Sequence, residues 1–511
     1  MTRIDWPLLL PDARFVGEPA SDVTAVCYDS RLVTPGSVFV AVPGALPPQS
    51  RDGHDFIPMA LDKGAAAIVV QADRQAKWQP QANGSVAFIV VPDTRRALAR
   101  IAAAFWGFPA RRLVTIGVTG TDGKTTTVHL IAACLEAAGL PVGYLSSVAF
   151  QTTAHSELNA THMTTLQSPE VQEMLARMVA GGRGYAVIEA SSHGLALNRV
   201  DECEFDVAVF TTLSSDHLDF HGDAAAYLAA KGRLFEMLDE SVDKGVAKTA
   251  VLNADDPASA ALRARTRANA VTYAIDAPAD LRAESVRLEP LASAFDLVGP
   301  FGRMSVRLPQ SGRHNVYDAL AAGAVALALG VAPETVRDGL AAFRGVPGRT
   351  EMIDCGQPFT VVVDIASTPE ALRRVLQVLR ATTNGHLIAV FGCAGERDRN
   401  RRDGMGRAAA ELADFAVLTN EDPRSEDPDA IIDEIARALV AAGRREADDF
   451  ERIPDRRAAI RRAFELARSG DVILLAGKGT EQSIVIGDTH IPWDERVVAR
   501  ELLQETYSVA K

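Results

Sequence analysis

Gly120-Thr121-Asp122-Gly123-Lys124-Thr125 is the segment of this chain best suited to chemistry. It follows an apolar run at 113–118 and precedes a helical pattern over 125–138. Strand, glycine loop, Lys-Thr and helix together form a cradle for nucleotide phosphates. The glycines let backbone N–H groups approach the oxyanions, and the helix N-terminus adds positive potential. Lys124 adds a point charge, Thr125 offers a hydroxyl to Mg²⁺, and Thr126 continues the run. The spacing is two residues shorter than the common G-x-x-x-x-G-K-[ST] pattern. A glycine turn with a surface lysine is the competing reading. ATP-driven chemistry is the expectation.

A second constellation follows two other apolar runs. Glu189-Ala190-Ser191-Ser192-His193-Gly194 ends the run at 186–189, and Asp216-His217-Leu218-Asp219 follows the run at 206–211. Ligands gather at the carboxyl ends of strands in open α/β sheets. Glu189 and His217 are therefore placed to hold a Mg²⁺ beside the phosphate loop. Acids that merely cap helices would give the same string.

The elements that must position these groups fall into three parts. Residues 1–108 read as a small α/β unit, with apolar runs at 38–42, 67–70 and 86–91. Residues 109–345 alternate strands at 113–118, 186–189, 206–211 and 250–252 with helices at 125–138, 168–179 and 224–238. That alternation predicts a mostly parallel, helix-covered sheet. Residues 346–511 repeat the pattern, with strands at 359–363, 387–391, 415–418 and 472–475. Helices near 369–381, 405–412 and 429–441 make it a second doubly wound domain. The fold class expected is three-domain α/β: a small N-terminal unit, a P-loop ATPase-like centre and a Rossmann-like C-terminal domain.

Composition narrows the function classes. The 511 residues exceed one core, and 47% hydrophobic content suits a globular protein. A net charge of −13, from 53 basic and 66 acidic residues, argues against nucleic-acid or anionic-membrane partners. Five scattered cysteines without a C-x-x-C pair fit a reducing cytoplasm, with no disulfide scaffold or zinc site. No signal-peptide pattern and no apolar run of about 20 residues is visible. A cytoplasmic monomer is expected.

Taken together, the motifs resemble the Mur ligases, ATP-dependent amide-bond formers of peptidoglycan precursor synthesis, and within them the MurE type. Gly120–Thr125 is similar to their GTNGKT loop, with Asp122 for asparagine. EASSHGL at 189–195 and FTTLSSDHLDFH at 210–221 carry the MurE likeness, as do Asp29-Ser30-Arg31 and the segment 35–44 near the N-terminus. Asn315-Val316-Tyr317-Asp318, Gly348-Arg349-Thr350-Glu351, the FGCAGERDRNRRDGMG run at 391–406, Glu421-Asp422-Pro423-Arg424 and GKGTE at 477–481 extend it along the chain.

The resemblance implies roles. Gly120, Thr121, Asp122, Gly123, Lys124, Thr125, Thr126, Asn315, Arg349 and Asp364 would bind ATP. Lys124, Glu189, His217 and Lys231 would be catalytic, with Thr125, Glu189, His217 and Lys231 serving the metal. Lys231 matches the family lysine carbamylated by CO₂; read alone it is a solvated helix lysine. Ser30, Thr164, Thr165, Ser191 and Arg199 would bind the UDP-N-acetylmuramoyl-dipeptide. Arg402, Glu421, Asp422, Arg424, Gly477 and Glu481 would bind the incoming diamino acid: lysine, ornithine or meso-diaminopimelate. The implied reaction passes through an acyl phosphate.

Departures accompany the likeness. Thr212, the Ile365-Ala366-Ser367-Thr368-Pro369 segment and Thr480 replace family residues on the nucleotide side. Asp422 stands where diaminopimelate enzymes carry asparagine. An ionised carboxylate there would repel a distal carboxylate and attract an ammonium, which favours a basic amino acid. Arg402, matched to a family arginine that reads the distal carboxylate, argues the other way. A divergent paralogue with another acid substrate is one alternative reading, and a non-catalytic scaffold is another.

Overall fold

A computed structural model describes residues 2–45, 51–78, 86–161, 163–214, 216, 218–289 and 292–507. Three sheets organise them. In the first, five strands lie in the order Arg14–Val16, Ala87–Val91, Ala67–Gln71, Val38–Val40, Val26–Cys27. The inner strands are apolar throughout, as a sheet covered on both faces requires. The helix Thr94–Phe105 covers one face, capped by Asp93, whose carboxylate accepts from Arg95 N and Arg96 N.

The central sheet has eleven strands. Its order begins Ser156–Leu158, Ala149–Gln151, Val142–Leu145, Tyr185–Glu189, Val114–Thr119, Val207–Phe210, Thr249–Asn253, Asn269–Ala274. Leu281–Leu288, Ser293–Gly299 and Gly302–Leu308 extend that edge. Val114–Thr119 runs parallel to both neighbours, with Val118 opposite Glu189 and Thr119 opposite Phe210. Three carboxyl ends therefore stop at one level, and whatever follows them shares one crevice. At the opposite end, fully buried Asp206 takes Lys244 at 2.7 Å, Lys248 at 3.0 Å and Thr115 N at 2.8 Å. Two cations and an N–H offset the desolvation of that carboxylate.

The third sheet orders Glu351–Ile353, Thr360–Asp364, Val472–Ala476, Leu387–Phe391, Phe415–Leu418, Phe450–Arg452. Its inner strands are parallel and apolar, and helices including Pro369–Thr382, Asn400–Leu412 and Pro428–Ala441 flank it. The chain divides into two compact units. One holds Met1–Glu284, Leu297–Met304 and Tyr317–Leu340; the other holds Ser285–Asp296, Ser305–Val316 and Ala341–Lys511.

Candidate functional site

The glycine loop of the first unit closes as its sequence requires. Gly120 has φ +153° and lies so near Thr211 that a Cβ would fall 1.8 Å from the Thr211 hydroxyl. Gly123 has φ +82°, and a Cβ there would fall 2.3 Å from Asp318 Oδ1. Only glycine fits both positions. The helix Lys124–Ala137 starts immediately after, and no side chain caps its first turn. Those orphan N–H groups, framed by glycine, suit an anion.

Two lysines converge on the loop. Lys124 Nζ donates to the carbonyls of Gly120 (3.1 Å) and Thr121 (2.8 Å). Lys231, on the helix Ala224–Glu240, is 1% exposed and donates to the same Gly120 carbonyl at 2.7 Å. Its Nζ stands 4.3 Å from the Tyr227 ring centroid. Burial, reinforced by the Lys124 charge, pushes the Lys231 amine down to about 6. The sequence alone suggests a solvated lysine; the structure buries it against the phosphate loop.

Glu189 completes the crevice. It is 2% exposed and accepts from Thr125 Oγ1 at 3.1 and 3.0 Å and from Ser147 N at 2.8 Å. The Thr125 and Ser147 hydroxyls are 2.9 Å apart. A carboxylate and two hydroxyls make an all-oxygen set, the donor type that hard cations such as Mg²⁺ take. Among the described residues no three His, Cys, Asp or Glu side chains gather as a metal cluster. His217 falls outside the described residues. Asp122 lies within the loop and Thr126 follows it, and the Asp122 carbonyl accepts from Thr211 Oγ1 at 2.6 Å. Thr212, the departure from the family asparagine, donates to Asp256 at 3.1 Å, so the Asn253–Asp256 turn still holds this strand end.

A chain of hydrogen bonds leads from Glu189 to a second recess. Thr165 Oγ1 donates to the Glu189 carbonyl at 2.9 Å and accepts from Ser191 N at 2.9 Å. Arg199 Nη1 donates to the Thr165 carbonyl at 3.1 Å, and Thr164 precedes this strap, half-buried. Arg199 lines a cavity of 650 Å³ together with Tyr28, Ser30, Arg51 and Arg95. Burial lowers the affinity of Arg95 and Arg199 for their protons, and for Arg199 the nearby Arg95 adds to it. Two mutually repelling guanidiniums in one recess suit an anionic ligand.

The second unit carries the remaining candidates. Asp364 ends the strand Thr360–Asp364 and accepts from Thr350 N (2.7 Å) and Ala366 N (2.8 Å); burial raises its carboxyl. Arg349 lies near enough to oppose that rise. Asn315 Nδ2 donates to the Ser311 carbonyl at 2.7 Å. Gly477, after the strand Val472–Ala476, donates to the Asp364 carbonyl at 3.0 Å. Arg424 has φ +55° and its backbone pairs with Val485 and Gly487.

Two expectations are corrected here. Asp422 does not present a bare charge to a substrate ammonium. Lys478, fully buried, already donates to Asp422 Oδ1 at 2.8 Å and to Glu481 Oε2 at 2.6 Å, and Val485 N donates to the same Asp422 oxygen. Asp422 therefore shares one ammonium with Glu481 and also accepts a backbone N–H. Arg402 does not extend toward a substrate carboxylate. It is 2% exposed, with its guanidinium on Glu426 and Glu434 at 2.9 Å each. Glu421 is buried with Oε2 unpartnered, and burial pushes its carboxyl up to about 7.

Sequence reasoning missed Ser147, Arg95 and Lys478 as site residues. Lys478 stands within the GKGTE run, so its motif was visible; nothing local marks Ser147 or Arg95.

Comparison with known proteins gives concordant matches. Residues 22–106 match the Mur ligase family, catalytic domain; 118–326 match the Mur ligase middle domain; 348–479 match the Mur ligase, glutamate ligase domain. The chain is 46% identical over 492 residues to a UDP-N-acetylmuramyl-tripeptide synthetase of Roseiflexus sp. (strain RS-1), covering 95% of each chain. It is 42% identical over 484 residues to a UDP-N-acetylmuramoyl-L-alanyl-D-glutamate–2,6-diaminopimelate ligase of Geobacillus thermodenitrificans, again covering 95% of each. A solved structure of a ligase of that name superposes with a TM-score of 0.69 at 29% identity, over 99% of this chain and 100% of that one.

Proposed function

The chain belongs to the Mur ligase family, and from that premise we propose that it joins a diamino acid to UDP-N-acetylmuramoyl-L-alanyl-D-glutamate at the expense of ATP. One observation carries the reading: Thr125, Ser147, Glu189 and Lys231 converge on a glycine loop built to hold phosphate. The three parts of the chain, 1–108, 109–345 and 346–511, would bring the nucleotide-sugar peptide, ATP and the amino acid respectively.

The D-glutamate side-chain carboxylate attacks the ATP γ-phosphorus, ADP leaves, and an acyl phosphate forms. The amine of the diamino acid then attacks the acyl carbon. The C–O bond to phosphate breaks, phosphate leaves, and the amine proton passes to solvent or a nearby base. Loop N–H groups and Lys124 would bind the triphosphate and offset charge in the transferring group. Thr125, Ser147 and Glu189 would hold Mg²⁺, which when bound neutralises phosphate charge. Arg199 and Arg95 would bind anionic groups of the nucleotide-sugar peptide, with Ser30, Thr164, Thr165 and Ser191 along its course. Asn315, Arg349 and Asp364 would contact the nucleotide. Glu421, Asp422, Arg424, Gly477 and Glu481 would receive the amino acid.

Lys231 supports a further step of the same reading. An amine pushed down to about 6 is unprotonated at neutral pH, the form that attacks CO₂. Carbamylation releases one proton and gives the crevice an anion in place of a buried amine. No helix among the described residues is long and apolar enough to cross a membrane.

The test is an ADP-release assay with each substrate omitted in turn. Release that needs the dipeptide nucleotide and a diamino acid together supports the reading, and Lys124→Ala should lower it by about 10²–10³-fold. Equal release without the dipeptide nucleotide would overturn it. Lysine, ornithine and meso-diaminopimelate compared side by side identify the amino acid.

A further inference from the structure

The helix Thr94–Phe105 has a cavity on each side. Arg95 and Leu98 line the recess that holds Arg199, whereas Arg96 and Arg100 line a separate cavity of 740 Å³. The chain after the helix Ser192–Ala196 divides in the same way. Arg199 lines the first recess, and Asn198, Asp201 and Glu202 line the second. Nothing in the ligase reaction uses this second cavity, whose volume lies in the roughly 300–1,000 Å³ range of small-molecule sites.

Its walls carry opposite charges. Arg96 and Arg100 are four residues apart on one helix, hence on one face, and both are exposed. Asp201 and Glu202 are half-buried on the facing wall. Their carboxyls are raised by burial; Arg233 and, less strongly, the Asn198 hydrogen bond and Arg96 draw Asp201 back, and Arg100 draws Glu202 back. Yet among the described residues neither arginine closes to within the 4.0 Å of an ion pair with either carboxylate. Asp201 Oδ1 is buried without a partner, and so is Nε of Arg233, another wall residue. The carboxylate wall is held by strained backbone. Asn198 and Glu202 have φ +56° and +62°, which costs about 1 kcal/mol or more for each non-glycine residue. Arg233 is not available to close the gap, because it is committed to Glu240 at 2.6 Å.

Charged walls kept apart over an apolar floor that includes Leu195 and Ala97 suit a ligand that carries both charges. We propose that this cavity binds a short zwitterionic peptide, its carboxylate on Arg96 and Arg100 and its ammonium on Asp201 and Glu202. The site is separate from the substrate recess, although the helix and the loop that form it also carry Arg95 and Arg199.

Titration calorimetry on the full chain tests this with trialanine as the probe. Trialanine should bind one to one with a Kd on the order of 0.1 mM. N-acetyl-trialanine amide, which lacks both terminal charges, should bind about tenfold or more weakly. Arg100→Gln and Glu202→Gln each remove one charge from the cavity wall and should each weaken trialanine about fivefold or more. Binding should persist with UDP-N-acetylmuramoyl-dipeptide at saturation. Absence of trialanine binding at 10 mM, equal binding of the blocked peptide, indifference to both substitutions, or competition by the dipeptide nucleotide would each overturn the proposal. The readout is binding rather than turnover, so its failure is distinct from failure of the ligase reading.

Discussion

Replacing Glu421 by glutamine should change how the stability of this protein depends on pH. Glu421 is buried beside two cations, but both are committed elsewhere. Arg456 is held by Glu495 at 2.7 Å, and Lys478 by Asp422 and Glu481. Burial therefore dominates, and the carboxyl rises from 4.5 to about 7. The folded state keeps this proton up to about pH 7, whereas the unfolded chain releases it near 4.5. The stability contributed by the protonated group is complete below 4.5 and is lost as pH rises through 7. At 1.36 kcal/mol per pH unit, the interval corresponds to about 3 kcal/mol, of which about 2 kcal/mol disappears between pH 5.5 and 8. Glutamine has the same shape and no titration. Urea unfolding of wild type and Glu421→Gln, followed by circular dichroism at several pH values, reads the difference directly. The variant should gain about 2 kcal/mol on wild type between pH 5.5 and 8. Parallel pH profiles would refute the claim that Glu421 is a buried, uncompensated acid.

Other outcomes follow from the same geometry. Gly123→Ala would force a Cβ to 2.3 Å from Asp318 at φ +82° and should lose about 2–4 kcal/mol of stability in thermal unfolding. Lys231→Ala should cut ADP release sharply, with partial recovery on adding a small carboxylate, and wild type should slow in CO₂-free buffer; insensitivity to all three would remove the carbamate. Lys478→Met leaves Asp422 and Glu481 without their shared cation, so the KM for the amino acid should rise about tenfold while the KM for ATP stays unchanged.

Much of the scaffold was legible because parallel strands buried on both faces read as nearly continuous apolar runs. The strands at 114–119, 207–210, 387–391 and 415–418 are of that kind. The strands at 142–158 and 269–308 escaped notice because they are short or interleaved with polar residues. The helix Asn400–Leu412 starts five residues before the expected 405, since its first turns, Asn-Arg-Arg-Asp-Gly, show no apolar period. In the site, Lys124, Thr125 and Glu189 could be placed because strand ends and loop chemistry are local. Arg402 could not, because Glu426 and Glu434, which occupy its guanidinium, lie 24 and 32 residues away. The partner of Asp422 was hidden for the same reason: Lys478 is 56 residues distant. Ion pairing across long separations is a tertiary fact that residue type alone does not carry.

The central claim is that a carboxylate is activated by phosphate from ATP and then captured by an amine. Isotope tracing tests it most directly, with dipeptide nucleotide carrying ¹⁸O in both oxygens of the D-glutamate side-chain carboxylate. With ATP and the diamino acid present, the account predicts that one ¹⁸O appears in inorganic phosphate and the other stays in the new amide. Phosphate free of the label, or ATP consumed without a new amide, would contradict it.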